Sequence, residues 1–226
     1  MGIVTSIVGK SGVGKSTSFR TLFTNGVLHK DVLIIRMGRK PLPFRAELKK
    51  WDKDKGEGDF IYANDGDVVV KVLEKFTKEY GKKIIIIDDS TFAMTDYFMK
   101  TALEVGFNKF SVNALKYYSM LKAAELTADD VRVYVVNHID EDANGLLKVK
   151  TIGKMLDEKV DIPSLLTVVL QAEKTKDGYK FITNKRTNAD LAKSPMGMFD
   201  DEFIDNDLRA VDEVICEYYN TEPLKF

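Results

Sequence analysis

Ile3-Val4-Thr5-Ser6-Ile7-Val8 runs directly into Gly9-Lys10-Ser11-Gly12-Val13-Gly14-Lys15-Ser16, and Ser16 to Phe23 reads as a helix that the loop feeds. The residues from Gly9 to Ser16 match the pattern G-x-x-x-x-G-K-[ST] at every fixed position. An apolar strand before the loop and a helix after it supply the context the pattern needs. Glycines let the backbone turn tightly and bring successive N–H groups to face one anion. The free N–H groups of the helix start add positive potential at the same point. The stretch therefore predicts a phosphate loop made by Gly9, Lys10, Ser11, Gly12, Val13, Gly14, Lys15, Ser16 and Thr17. In such a loop the Lys15 ammonium reaches the β and γ phosphates of a nucleotide, and the Ser16 hydroxyl reaches its magnesium ion.

The second half of such a site is a strand that ends in acid. Ile84-Ile85-Ile86-Ile87 is bounded by Lys82-Lys83 and Asp88-Asp89. Its β-branching suits a central parallel strand buried on both faces. Asp88 follows the strand directly and is assigned to the magnesium shell. Asp89 is assigned to the attacking water, although side chains alternate along a strand, and a cap for the helix at Ser90 is the other reading. Glu47 and Glu104 are further carboxylates that could serve. A third strand, Val131 to Val136, ends at Asn137-His138 on the same edge, where either side chain could contact the γ phosphate; His138 is the candidate. Lys185-Arg186 follows a predicted hairpin, and Arg186 is the candidate cationic finger for the transferring phosphoryl group.

Around these motifs the chain alternates strand and helix. Val32 to Met37 reads as a strand. Residues 38 to 67 form a charged, Gly- and Pro-containing excursion. A helix capped by Asp67 carries Val68, Val69, Val72, Leu73 and Phe76 to Gly81. Ser90 to Val105 and Asn113 to Ala124 read as helices, and residues 140 to 164 as polar with a weak helical stretch. Leu165 to Ala172 and Tyr179 to Asn184 flank Lys176-Asp177-Gly178 as a β-hairpin. Lys185 to Met198 is irregular, and Glu202 to Tyr219 reads as a final amphipathic helix. The expected fold is α/β: one domain over residues 1–226, with a mainly parallel sheet, helices on both faces and a C-terminal antiparallel hairpin extension.

Composition narrows the function classes. The chain has 226 residues, 44% of them apolar, and 34 Lys plus Arg against 35 Asp plus Glu, for a formal charge of −1. That balance gives no global pull towards a polyanion, so any nucleic-acid surface must be local. One such patch holds Arg36, Arg39, Lys40, Arg45, Lys49, Lys50, Lys53 and Lys55 with Phe44 and Trp51 interleaved. A single cysteine, Cys216, excludes an internal disulfide and sits in an apolar helical series. No stretch reaches the ~20 apolar residues of a membrane span, and the expected compartment is the reducing cytoplasm. The guanine-specific N-K-x-D signal is absent, which points away from GTP.

Taken together, these motifs resemble the phage-encoded, RecA-like nucleotide-binding proteins that accompany single-strand annealing recombination. The likeness is carried by the phosphate loop, the Ile84 to Ser90 acidic strand, and Val135-Val136-Asn137-His138. It extends through Thr151-Ile152-Gly153-Lys154-Met155-Leu156-Asp157-Glu158-Lys159 to Ala192-Lys193-Ser194-Pro195-Met196-Gly197-Met198-Phe199. The resemblance implies a RecA-like P-loop NTPase core, ATP and magnesium as ligands, and hydrolysis stimulated by single-stranded DNA. It also implies homo-oligomers with nucleotide at subunit edges, and a role beside an annealing or single-strand-binding protein in phage recombination or replication. Lys10 departs from that group. It is similar to the lysine by which dimerising division-site and plasmid-partition ATPases reach a partner's nucleotide, although Ser11 stands where those loops usually have glycine. A nucleotide-switched or partition-type assembly and a small-molecule kinase are the alternatives.

Overall fold

Strands and helices alternate along the chain in the computed structural model, which describes residues 1–142, 145–187 and 190–226. In chain order they are β1 (Ile3–Gly9), a 3₁₀ helix (Ser16–Leu22), β2 (Phe23–Thr24), β3 (Val27–Leu28), β4 (Val32–Arg36), β5 (Phe60–Tyr62), α1 (Gly66–Lys78), β6 (Ile84–Asp88), α2 (Thr91–Lys100), α3 (Asn108–Glu125), β7 (Arg132–Glu141), β8 (Leu147–Val149), α4 (Lys154–Lys159), a second 3₁₀ helix (Ile162–Leu165), β9 (Val168–Thr175), β10 (Gly178–Ile182), β11 (Phe203–Asp205) and α5 (Leu208–Tyr219).

One sheet unites the molecule in the order β11-β10-β9-β1-β7-β6-β4-β5, with β8 paired to β7. The strands from β9 to β5 are parallel, whereas β10, β11 and β8 join antiparallel. Alternate side chains of the central strands feed two cores. Ile85, Ile87, Val133 and Val135 meet Val69, Leu73, Met94, Tyr117 and Leu121 of α1–α3 on one face. Ile84, Ile86, Tyr134 and Val136 meet Phe19, Leu22, Val211 and Ile215 on the other. Helices on both faces explain why the isoleucine strand is apolar throughout rather than alternating.

Several boundaries differ from the sequence reading. Ser16 to Leu22 is 3₁₀ rather than α, with Ser18 Oγ donating to the Lys15 carbonyl at 2.7 Å and Thr21 Oγ1 to that of Ser18 at 3.1 Å. Both contacts span three residues, as the 3₁₀ repeat does. Asp65, not Asp67, caps α1, accepting the Asp67 N–H at 2.8 Å. The helix at Ser90 ends at Lys100, and the next begins at Asn108, before Asn113. The strand expected over Val131 to Val136 runs from Arg132 to Glu141, its end forming half of a hairpin with β8. The excursion holds β5 and a tight hairpin closed by Asp52 and Glu57. Leu165 closes a 3₁₀ turn, so the predicted hairpin starts at Val168. Glu202 to Tyr219 divides: Phe203–Asp205 pairs with β10, and Asp207 then caps α5, accepting from the Ala210 N–H at 3.0 Å. Residues 143–144 and 188–189, within the polar and irregular stretches, lie outside the described residues. Cys216 is buried on α5, as its apolar series predicts.

Candidate functional site

Parallel pairing brings the carboxyl ends of the central strands to one edge. Gly9 pairs with His138 across β1 and β7, and Arg36 with Asp88 across β4 and β6. An open cleft of about 270 Å³ lies there, lined by Ser11, Gly12, Gly14, Lys15, Ser16 and Thr17 from the loop, together with Asp88, Asp89, His138, Tyr179, Gly38 and Lys40 to Pro43. Such an edge is where open α/β sheets place ligands.

The loop wraps Lys15. Gly12 and Gly14 hold φ of 80° and 98°, values that a side chain disfavours. Lys15 is 6% exposed. Its ammonium donates to the carbonyls of Gly9 at 2.8 Å and Lys10 at 2.7 Å, and lies 3.4 Å from His138 Nδ1. Two protons thus meet neutral carbonyls, and among the described residues no carboxylate sits within ion-pair distance. Burial lowers its pKa to about 8, against the opposing pull of Asp89 and Asp88. A cation with no counter-ion, facing a cleft, is a place for an anion.

The acids are held differently. Asp88 Oδ1 accepts from Ser16 Oγ at 2.9 Å. Burial, then the charge of Asp89, pushes Asp88 up to about 6, outweighing Ser16, Arg36 and Lys15. Asp89 is lowered, first by its hydrogen bond from His138. His138 Nε2 lies 3.2 Å from Asp89 Oδ1. With the proton on Nε2, the ring donates to Asp89 and accepts from Lys15 at once. Asp89 has φ of 57°. The strand stops at Asp88 and the next residue turns left-handed, so both carboxylates line the cleft despite strand alternation; Asp tolerates this conformation better than most residues. Among the described residues the Asp89 carboxylate caps no helix, although its carbonyl accepts the Phe92 N–H at 2.9 Å.

Ser16 Oγ and Asp88, 2.9 Å apart, are side-chain oxygens in the cleft that could hold a cation, with Asp89 beside them. No group of three or more His, Cys, Asp or Glu suited to a metal occurs among the described residues. A pair of oxygens suits magnesium, which keeps several waters and takes phosphate oxygens besides one or two protein ligands.

Other expected residues lie elsewhere. Gly9 serves through its carbonyl, and Val13 packs on the core. Lys10 is exposed and pairs with Glu141 of its own chain. Asn137 is buried: its Nδ2 donates to Ser6 Oγ at 2.9 Å, and its Oδ1 accepts from Tyr117 OH at 2.5 Å, with Ser90 Oγ at 2.6 Å. Arg186 is not among the cleft-lining residues. It binds Asp190 at 3.2 Å and lies 4.7 Å over the Phe203 ring. Glu47 and Glu104 do not line the cleft either. Phe44 and Trp51, the aromatics of the basic patch, pack on Phe23 at 5.3 Å and on Phe76 at 4.5 Å.

Tyr179 has no assigned role in the sequence reading, and Lys40 is placed there in the basic patch rather than in the cleft. Tyr179 packs so closely on the loop that a Cβ at Gly14 would come within 2.7 Å of its ring. It arrives there because β9 continues to Thr175, past Gln171, the partner of Val8, and β10 returns alongside it. Nothing local to Tyr179 signals this. Lys40 could have been found from the rule that parallel strand ends share an edge, since it follows β4. No protein-family model matches the chain, and no curated protein matches it in sequence.

Proposed function

We propose that the chain binds ATP with magnesium and hydrolyses it. One observation carries this reading: the buried Lys15 ammonium, donating to the carbonyls of Gly9 and Lys10, lines the same cleft as Ser16, Asp88 and Asp89. Lys15 and the loop N–H groups bind the β and γ phosphates. Ser16 and Asp88 hold magnesium, which when bound supplies charge to the phosphate oxygens. Asp89, steadied by His138, orients a water against the γ phosphorus and takes its proton. The new P–O bond forms as the bond to the β–γ bridging oxygen breaks, leaving ADP and phosphate. His138 touches both Lys15 and Asp89, so it links phosphate occupancy to the position of the acid.

A RecA-like core is supported by the placement of β7 between the loop strand and the acidic strand, which sets His138 between Lys15 and Asp89. Work on single-stranded DNA during phage recombination or replication, beside an annealing or single-strand-binding protein, rests on the sequence resemblance. With Phe44 and Trp51 packed inward, the basic patch offers DNA its charges rather than these rings. A nucleotide-governed assembly of copies is favoured by the exposed run Met99, Leu103, Val105 and Phe107.

The test is phosphate release from ATP and magnesium, with and without single-stranded DNA. We expect turnover that DNA raises, and its loss to background in Lys15→Ala. Full activity in Lys15→Ala removes the site. Slow turnover indifferent to DNA, with an ATP-dependent rise in mass, selects the assembly reading.

A further inference from the structure

We propose that Lys40 is the cation this chain supplies, to its own active site, for the terminal phosphoryl group. The role rests on the triphosphate reading above and deepens it. Lys40 lines the cleft with Lys15, Asp89 and His138. Its ammonium has no carboxylate within ion-pair distance among the described residues, and it lies 5.7 Å from the centre of the Phe92 ring. An aromatic face holds a cation without neutralising it. Both Lys15 and Asp89 feel its charge, the first lowered by it and the second lowered also.

The backbone that carries Lys40 is tied down along its length. Met37 N–H donates to the Asp88 carbonyl at 3.2 Å, joining the segment to the acidic strand end. Gly38 passes so near the acids that a Cβ there would lie 3.8 Å from Asp89 Oδ2. Arg36, buried and lying 5.2 Å from the Phe60 ring and 5.5 Å from that of Tyr62, donates to the Lys40 carbonyl. Beyond it, Pro41 and Pro43 restrict the chain, and Leu42 and Phe44 dock on the core. The main chain is therefore placed in advance while the side chain stays in the opening. A cation carried on a backbone fixed in advance needs less reorganisation during the reaction than one on a mobile loop. Arg186, the residue expected in this role, is occupied by Asp190 and Phe203.

The experiment compares wild type with Lys40→Met, which keeps the stem, and Lys40→Arg, which keeps the charge. In Lys40→Met we expect kcat to fall by about 100-fold, while affinity for ADP stays within about twofold because the diphosphate is held by the loop. Lys40→Arg should recover most of the rate. An equal loss of ADP affinity, or a kcat that does not fall in Lys40→Met, overturns the assignment. Mixing Lys40→Met with Lys15→Ala separates cis from trans action: no recovery supports a cation acting within its own chain, and recovery overturns it. A wild type that binds no triphosphate removes the underlying reading and this role with it. A wild type that hydrolyses ATP beside an unaffected Lys40→Met removes Lys40 alone.

Discussion

Asp88 and Asp89 are adjacent in sequence and shift in opposite directions, because burial and the charge of Asp89 raise the first while the hydrogen bond from His138 lowers the second. Environments that push neighbouring acids apart assign them different work. The same shifts bear on stability. The carboxyl of Asp88 rises from 3.8 to about 6 on folding, so between those values the folded chain holds a proton that the unfolded chain has lost. Its contribution falls as pH rises through that window and stays unfavourable above it. Asp89 has the opposite sign: its depressed pKa favours folding above the unfolded value, and that gain is lost as pH falls through the folded one. Asp88→Asn should therefore make the free protein more stable at neutral pH, by about 1–3 kcal/mol, while abolishing magnesium-dependent turnover. Urea unfolding at pH 7, compared with the same measurement below pH 4, checks the sign; a variant less stable at pH 7 contradicts it. The loop and Asp88 were legible in the sequence because glycine positions and a strand-terminal acid are local features. That Asp89 also reaches the cleft was not, since it depends on a left-handed turn made after the strand stops.

At the level of elements, α5 is fastened to the sheet by charge as well as by apolar packing. Arg132 of β7, 1% exposed, meets Asp212 of α5, 3% exposed, through two contacts of 3.0 Å, and Tyr134 OH donates to the same carboxylate at 2.6 Å. Removing one partner leaves the other charge buried and unpaired, whereas removing both does not. Asp212→Ala should destabilise the chain by about 3–5 kcal/mol, and the double variant Arg132→Met with Asp212→Leu should recover most of that loss. A denaturation series on the three proteins decides it, and equal losses in single and double variants would refute the account. Neither residue stood out beforehand: an arginine starting a strand and an aspartate inside a helix read as surface charges until the two are packed together. The hairpin at Phe23 to Leu28 is a different kind of omission. Asn25-Gly26, with φ of 52° and 83°, is a two-residue turn signal present in the sequence, but its strands are too short for periodicity to reveal. The edge strand Phe203–Asp205 forms because β10 lies beside it, which residues 202–219 alone cannot express.

For the whole molecule, the reading requires that nucleotide stabilise the folded chain. At 100 times Kd, ATP with magnesium should add about 2.7 kcal/mol, which for a chain of this size corresponds to a rise in Tm of roughly 5–10 °C. Thermal melts with and without nucleotide measure it, and the rise should vanish in Lys15→Ala; an unmoved wild type would count against the site. The order of motifs along the chain determined by itself an α/β sheet with helices on both faces, a glycine loop carrying a lysine, and an acidic strand end. These follow from nearest-neighbour physics: backbone freedom at glycine, β-branching, and apolar runs long enough to need burial on both sides. Tertiary structure decided the rest of the cleft. It buried Asn137 beneath Ser6 and Tyr117 while leaving His138 open, set Tyr179 on the loop, brought Lys40 in beside Asp89, and held Arg186 on Asp190. The direction of a side chain at a sheet edge is set by the register of neighbouring strands and by the ties on the segments that cross it, and those partners are distant in sequence.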